Sequence, residues 1–213
     1  MYKGKYTHQA KKIDIENAGY IFIQIWEDDW NSSVKRKIIK SRLSVKLGLI
    51  ENRVYARKCE VRHLSSEESI AFLEENHLQG SRGGTIRLGL FYKNELVLCA
   101  VVGKSRMVKG KIELVRLCTK KGTVVVGGFS KLLSELRKHI DMDMLMSYAD
   151  CDWCSLNDSG YVKSGFIQTG ITEPDYSWEK NGLRENRMKF MKHKLVAQGF
   201  DPSKTEIEII HVS

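Results

Sequence analysis

The sequence predicts an α/β fold, a mixed central sheet flanked by helices, and three local signals carry that prediction. The first lies in Lys111–Ile140, where the hydrophobic period changes at a pair of glycines. Ile112, Leu114, Val115, Leu117 and Cys118 are broken only by Glu113 and Arg116, the pattern of a strand inside a sheet. After Gly127 and Gly128, Phe129, Leu132, Leu133, Leu136 and Ile140 recur at helical spacing, with Arg137, Lys138 and His139 in the last turn. The second signal is a pair of β-prone runs, Thr85–Tyr92 and Glu95–Lys104, joined by Lys93-Asn94 as a hairpin. The third is Ser65 or Ser66, placed to cap a helix that holds Glu67 and Glu68 in its first turn and runs to about Asn76.

From the front, Thr7–Ala18 is polar and helix-compatible, and Gly19 ends it. Tyr20–Trp26, YIFIQIW, is β-prone and predicts a buried strand closed by Glu27-Asp28-Asp29. Asn31-Ser32-Ser33 starts a basic helix reaching Leu47, with Val34, Ile38, Ile39 and Leu43 on one side. The composition changes over Glu51–Tyr55, the expected domain boundary. Ala56–Leu64 reads as a strand, and His77–Gly84 as a glycine-rich loop. Beyond the central helix, Met144–Ala149 predicts a strand, Ser155–Ser164 a short helical or irregular segment, and Phe166–Thr172 and Tyr176–Lys180 two late strands. Arg184–Gln198 reads as a closing basic helix.

The chain has 213 residues and a formal charge of +9. Residues 1–60 hold 13 Lys and Arg against 7 Asp and Glu, so the surplus is concentrated at the front. That bias points to a polyanionic partner, nucleic acid first. Lys35, Arg36, Lys37, Lys40 and Arg42 in front, with Arg184, Arg187 and Lys192 behind, are the candidate phosphate contacts; a solvated helix face is the plainer account of the same charges. No apolar run is long enough to span a bilayer, the N-terminus lacks the hydrophobic stretch of a signal peptide, and the five cysteines are odd in number. A cytoplasmic protein with reduced thiols and no membrane partner is expected. Cys151-Asp152-Trp153-Cys154 has metal-knuckle spacing but no second CxxC, so no metal site is assigned.

The order of elements from Ala56 onward looks like the acyl-CoA N-acyltransferase (GNAT) fold. That resemblance implies an acyl-CoA as the cofactor and Gly127, Gly128, Phe129 and Ser130 as its pyrophosphate-binding turn, although this turn lacks the Arg or Gln usual in the family. His77-Leu78-Gln79-Gly80, Glu113-Leu114-Val115-Arg116, Gly127–Leu133, Ser147-Tyr148-Ala149-Asp150 and Gly160-Tyr161 leading to Gly165-Phe166, in this order, resemble the phage Mom family, GNAT-like proteins that modify adenine in DNA. The matching positions imply His77, Arg116, Asp150 and Tyr161 as active-site residues. From the residues alone, Arg116 shares a strand face with Leu114 and Cys118, Glu113 points to the other face, and Asp150 is the expected partner of Arg116.

The front, His8–Lys12 and Gly19–Trp30, resembles the end of a Vsr-like PD-(D/E)XK nuclease domain of phage homing endonucleases, whose catalytic Asp and Glu-x-Lys lie ahead of the matched segment. Cleavage is therefore not expected. These readings divide the chain into a nuclease remnant with its basic helix (1–50), a GNAT-like domain (55–181), and a basic helix and tail (182–213). They imply a phage-type protein in the host cytoplasm that modifies or binds DNA. The alternatives are a catalytically inactive DNA-binding fragment and a small-molecule N-acetyltransferase.

Overall fold

The computed structural model describes residues 6–50, 52–154, 159–174, 177–185 and 187–210. The chain forms two compact units, Asp29–Thr169 and a smaller one made of Met1–Asp28 with Gly170–Ser213. No helix among the described residues is long and apolar enough to cross a membrane.

In the larger unit, α3 (Ser33–Lys46) is capped by Ser32, whose side chain accepts from the Lys35 N–H. Its Ile38 and Ile39 are buried, so the basic helix belongs with the sheet domain and the boundary expected at Glu51–Tyr55 does not separate them. The chain continues through β1 (Arg53–Tyr55), a 3-10 turn, β2 (Glu60–His63), α4 (Ser66–Asn76), β3 (Ile86–Tyr92), β4 (Glu95–Lys104) and β5 (Ile112–Thr119). It then forms β6 (Val124–Val126), α5 (Gly128–Leu136), β7 (Leu145–Met146) and α6 (Gly160–Lys163). Ser65 caps α4 in a capping box with Glu68, each satisfying the other's backbone N–H.

The main sheet has the order β2-β3-β4-β5-β7, antiparallel except for the β5–β7 pair. Lys93 and Asn94 both take positive φ (50° and 64°), as a two-residue primed turn requires. The expected Ala56–Leu64 strand is shortened to β2, because Ala56–Lys58 forms the 3-10 turn; β1, ahead of it, pairs in parallel with β6. Leu88, Leu90, Val102 and Leu114 pack on Leu132, Leu133 and Leu136 of α5. The opposite face carries Leu64, Cys99, Val101 and Cys118 against Leu73 of α4. The sheet is thus a central layer between two helices, and β5 lies inside it as expected.

β7 pairs with β5 only at Ile112–Leu145 and Glu113–Met146, so the strand expected over Met144–Ala149 is shorter. The two then part, with Ser147 Oγ 3.1 Å from the Leu114 carbonyl. Phe166–Thr172 forms no ladder, and Ile167 there is 86% exposed. Residues 155–158 of the expected Ser155–Ser164 segment lie outside the described residues.

The smaller unit holds α1 (Thr7–Asn17), β8 (Trp178–Lys180), β9 (Leu183–Glu185), α7 (Lys192–Ala197) and α8 (Glu206–Ile210). α2 (Glu27–Asn31) straddles the division between the units. Tyr20–Trp26, expected as a buried strand, joins no ladder, and Tyr20 and Ile21 are exposed. The helix expected over Arg184–Gln198 is instead β9, a 3-10 turn and the short α7. Leu183–Glu185 is drawn into a hairpin by Trp178–Lys180 across Asn181-Gly182. Residues 175–176 of the late strand lie outside the described residues.

Candidate functional site

A bulge in β5 decides which side chains meet. Leu114 pairs with Val102 and Arg116 with Val101, so Val115 is an extra residue that reverses the alternation. Leu114 packs on the α5 side, while Cys118 lies on the α4 side. Glu113 and Arg116, placed on opposite faces by simple alternation, therefore share the α4 face, and Leu114 is not on it.

Arg116 is held by carbonyls rather than by Asp150. Its Nε donates to Gly80 O at 2.9 Å and its Nη1 to Val115 O at 2.8 Å, with Nη2 3.5 Å from Gln79 O. These contacts pin the glycine-rich loop to the strand. The next loop cation, Arg82, donates from Nη1 to Glu113 Oε1 at 3.2 Å. Glu113 is buried, and its Oε2 has no hydrogen-bond partner among the described residues.

His77 accepts the Gln79 N–H at Nδ1, 3.1 Å away. Burial, then Arg116 and Arg42, push its pKa down to about 3. The ring is thus neutral at physiological pH with its proton on Nε2, a donor rather than a base. The fold gains from this neutrality. An unfolded histidine takes a proton below about 6.5, so stability from His77 is complete above that pH and is lost as pH falls towards 3. His77→Gln is expected to flatten the decline in melting temperature between pH 7 and pH 4.5. Equal declines in both proteins would show that His77 is protonated in the fold.

Tyr161, on α6, has its hydroxyl 3.4 Å from Ser147 Oγ, and burial raises its pKa, so the phenol is neutral. Its ring meets Phe129 and Phe166 edge-on, each at 5.5 Å. Asp150 is exposed, follows β7, and accepts the Asp152 N–H at 3.0 Å. Arg42, from α3, joins these groups. It lies over the Trp153 ring at 5.3 Å and within electrostatic reach of Asp150, Tyr161, Cys118 and His77. Burial is the largest influence on Arg42 and lowers its pKa, while Asp150 opposes that. Three of the residues singled out by the Mom resemblance, His77, Asp150 and Tyr161, thus lie within electrostatic reach of an arginine outside the matched stretch, and the fourth, Arg116, acts on His77. Burial raises the Cys118 thiol far above the range of a reactive thiolate, so it is no nucleophile.

The glycine turn has a packing explanation. A Cβ on Gly128 would come within 2.8 Å of Leu98 Cδ1 and Val125 Cγ1, and Gly127 takes φ +73° as the N-cap of α5. Phe129 is engaged with Tyr161 and Phe166, and Lys131 Nζ donates to the carbonyls of Ala56 and Cys59. Gly128 is thus closed in by the core, and none of Gly127, Gly128, Phe129 and Ser130 carries a cation, so these residues do not fit the pyrophosphate of an acyl-CoA. No step is derived through that group.

Of the front cations, Lys35 pairs with Asp29 at 2.7 Å, Lys40 lies over Trp30 at 5.9 Å, and Lys37 is exposed. Arg36 is half-buried. In the smaller unit Arg184 pairs with Asp28 at 2.7 Å and covers Trp26 at 4.5 Å, Arg187 sits in the 3-10 turn, and Lys192 begins α7. Sequence reasoning passed over the β4–β5 hairpin tip, where Lys104, Arg106 and Lys109 flank an exposed Met107. The run KSRMVKGK was the available signal. It also passed over Arg82 with Glu113, and here the bulge left no mark in the pattern. Among the described residues no group of three or more His, Cys, Asp and Glu side chains is placed to hold a metal ion.

No protein-family model and no curated protein matches the chain. An integron cassette protein from the mobile metagenome of V. cholerae is similar in structure, covering 59% of this chain and 94% of its own at 13% identity and a TM-score of 0.37, a likeness that carries no functional argument.

Proposed function

We propose that the chain is a DNA-acting protein whose larger unit is a GNAT-like, Mom-like module handling a nucleotide at the cluster around Arg42. The observation that supports this reading is that His77, Asp150 and Tyr161, from three separate segments, lie within electrostatic reach of Arg42, while Arg116 acts on the His77 ring. The neutral His77 Nε2–H and the Tyr161 hydroxyl offer hydrogen bonds to a polar base, and the exposed Asp150 carboxylate is the acceptor available to an amino group. Arg116, fixed by carbonyls, holds the loop that carries His77.

The glycine turn favours a second reading, a DNA-binding module without acyl transfer, and gives no support to a small-molecule N-acetyltransferase. Neither reading involves cleavage. Asp28 and Asp29, which would be the carboxylates at hand, are committed to Arg184 and Lys35. Five free cysteines suit a reducing compartment, so we place the activity in the cytoplasm.

Purified protein is expected to bind duplex DNA with an affinity that falls steeply as salt rises. Mass spectrometry of nucleosides from cells expressing the protein then separates the readings. A modified base that disappears with Asp150→Asn supports modification, and unmodified DNA with salt-sensitive binding supports the binding module. No binding at low salt would remove both.

A further inference from the structure

We infer that Arg42 is the anchor for a phosphate group, so that the cluster is a built oxyanion site completed by the helix that precedes the GNAT-like module. The inference rests on the nucleotide-handling reading above and deepens it by naming the group recognised.

Arg42 is the cation in the cluster with donors to spare. Arg116 gives its guanidinium to backbone carbonyls and Arg82 gives Nη1 to Glu113, whereas Arg42 makes no hydrogen bond or ion pair among the described residues. Even Asp150, the nearest acid to act on it, forms no ion pair with it. A guanidinium withdrawn from water without a partner is costly, and such a charge is normally matched by an anion. The side chain is nonetheless well fixed. Ile38 and Ile39 seat α3 on its unit, Ser41 Oγ accepts the Gly122 N–H at 2.9 Å, and the guanidinium carbon lies over the Trp153 ring, 5.3 Å from its centroid. The N–H donors at the edge of a guanidinium suit a planar or tetrahedral oxyanion.

The surroundings have the same polarity. His77 presents Nε2–H, Tyr161 presents its hydroxyl, and Arg116 adds a second guanidinium, with Asp150 acting on Arg42 and Glu113 and Glu74 acting on Arg116. A donor-rich cluster whose Arg42 has no ion-pair partner among the described residues complements a phosphate, whether on a free nucleotide or in a nucleic-acid strand.

Isothermal titration with deoxyadenosine monophosphate, deoxyadenosine and a short single-stranded oligonucleotide tests this. The monophosphate is expected to bind and the nucleoside much more weakly. Arg42→Gln should weaken monophosphate binding about 10–100-fold, the loss of charge-assisted hydrogen bonds, and Arg42→Lys should recover only part of it. Lys138→Gln, an exposed change just beyond the end of α5, should leave it unaltered. In the absence of ligand, Arg42→Gln should melt at or above the temperature of the unaltered protein, since it removes a desolvated charge. Unchanged binding in Arg42→Gln, no binding of the monophosphate by the unaltered protein, or a variant that melts several degrees lower would overturn the inference. Binding of the monophosphate but not the oligonucleotide would identify a free nucleotide as the source. That outcome would leave Arg42 as the anchor while removing DNA as the partner.

Discussion

Gly128→Val is expected to lower the melting temperature by roughly 5–10 °C, the equivalent of about 2–3 kcal/mol of overpacking. The glycine lies where α5 leaves β6, and a Cβ there would meet Leu98 Cδ1 and Val125 Cγ1 at 2.8 Å. Both neighbours belong to the core that α5 closes, so neither can move without disturbing Leu132 and Leu133. Gly127→Ala provides the contrast. Its Cβ would meet only Ala56 Cβ at 3.8 Å, leaving the strain of φ +73°, about 1 kcal/mol. Thermal melts of the two variants check the order of effects. A Gly128→Val protein that melts normally yet has lost a phosphate-bearing ligand would restore the turn as a binding cradle.

Arg82→Ala should be still more damaging, by about 3 kcal/mol or more, because it leaves a buried carboxylate with no partner. The Glu113 side chain is 5% exposed, Oε1 depends on Arg82, and Oε2 already lacks a donor among the described residues. The double change Arg82→Met with Glu113→Gln removes both charges and should recover much of the loss. Chemical denaturation of Arg82→Met, Glu113→Gln and the double variant forms a cycle whose coupling term measures the pair. Additive losses would show that the pair contributes no more than its two separate side chains.

The elements legible in the sequence are those whose signal is local. Lys93-Asn94 prescribes a primed turn, Ser65 and Glu68 build a capping box within one helical turn, and the change of period at Gly127-Gly128 falls where β6 gives way to α5. Tyr20–Trp26 was misread because β-propensity describes fitness for a ladder, and no partner strand is present among the described residues to form one. The cation spacing over Arg184–Gln198 fits a helix equally well, yet Trp178–Lys180 captures its start as a hairpin. The site was legible only in part. The resemblance pointed to His77, Arg116, Asp150 and Tyr161, but Arg42 read as one more cation on a basic helix, because its turn towards Trp153 depends on tertiary packing. The partner of Arg116 was misassigned for a related reason. Pairing Arg116 with Asp150 assumed unbroken alternation along β5, and the backbone carbonyls of residues 79, 80 and 115 were not considered as acceptors.

The extra residue at Val115 bears on how such a protein can change over generations. Substitutions along β5 can be accepted one side chain at a time, but loss of a single codon there would turn Arg116 away from the loop it holds and into the apolar layer beneath α5. The cluster is therefore more vulnerable to short deletions than to point changes. A lineage that lost the bulge could keep the local Glu-Leu-Val-Arg wording almost intact while dismantling the geometry it now encodes.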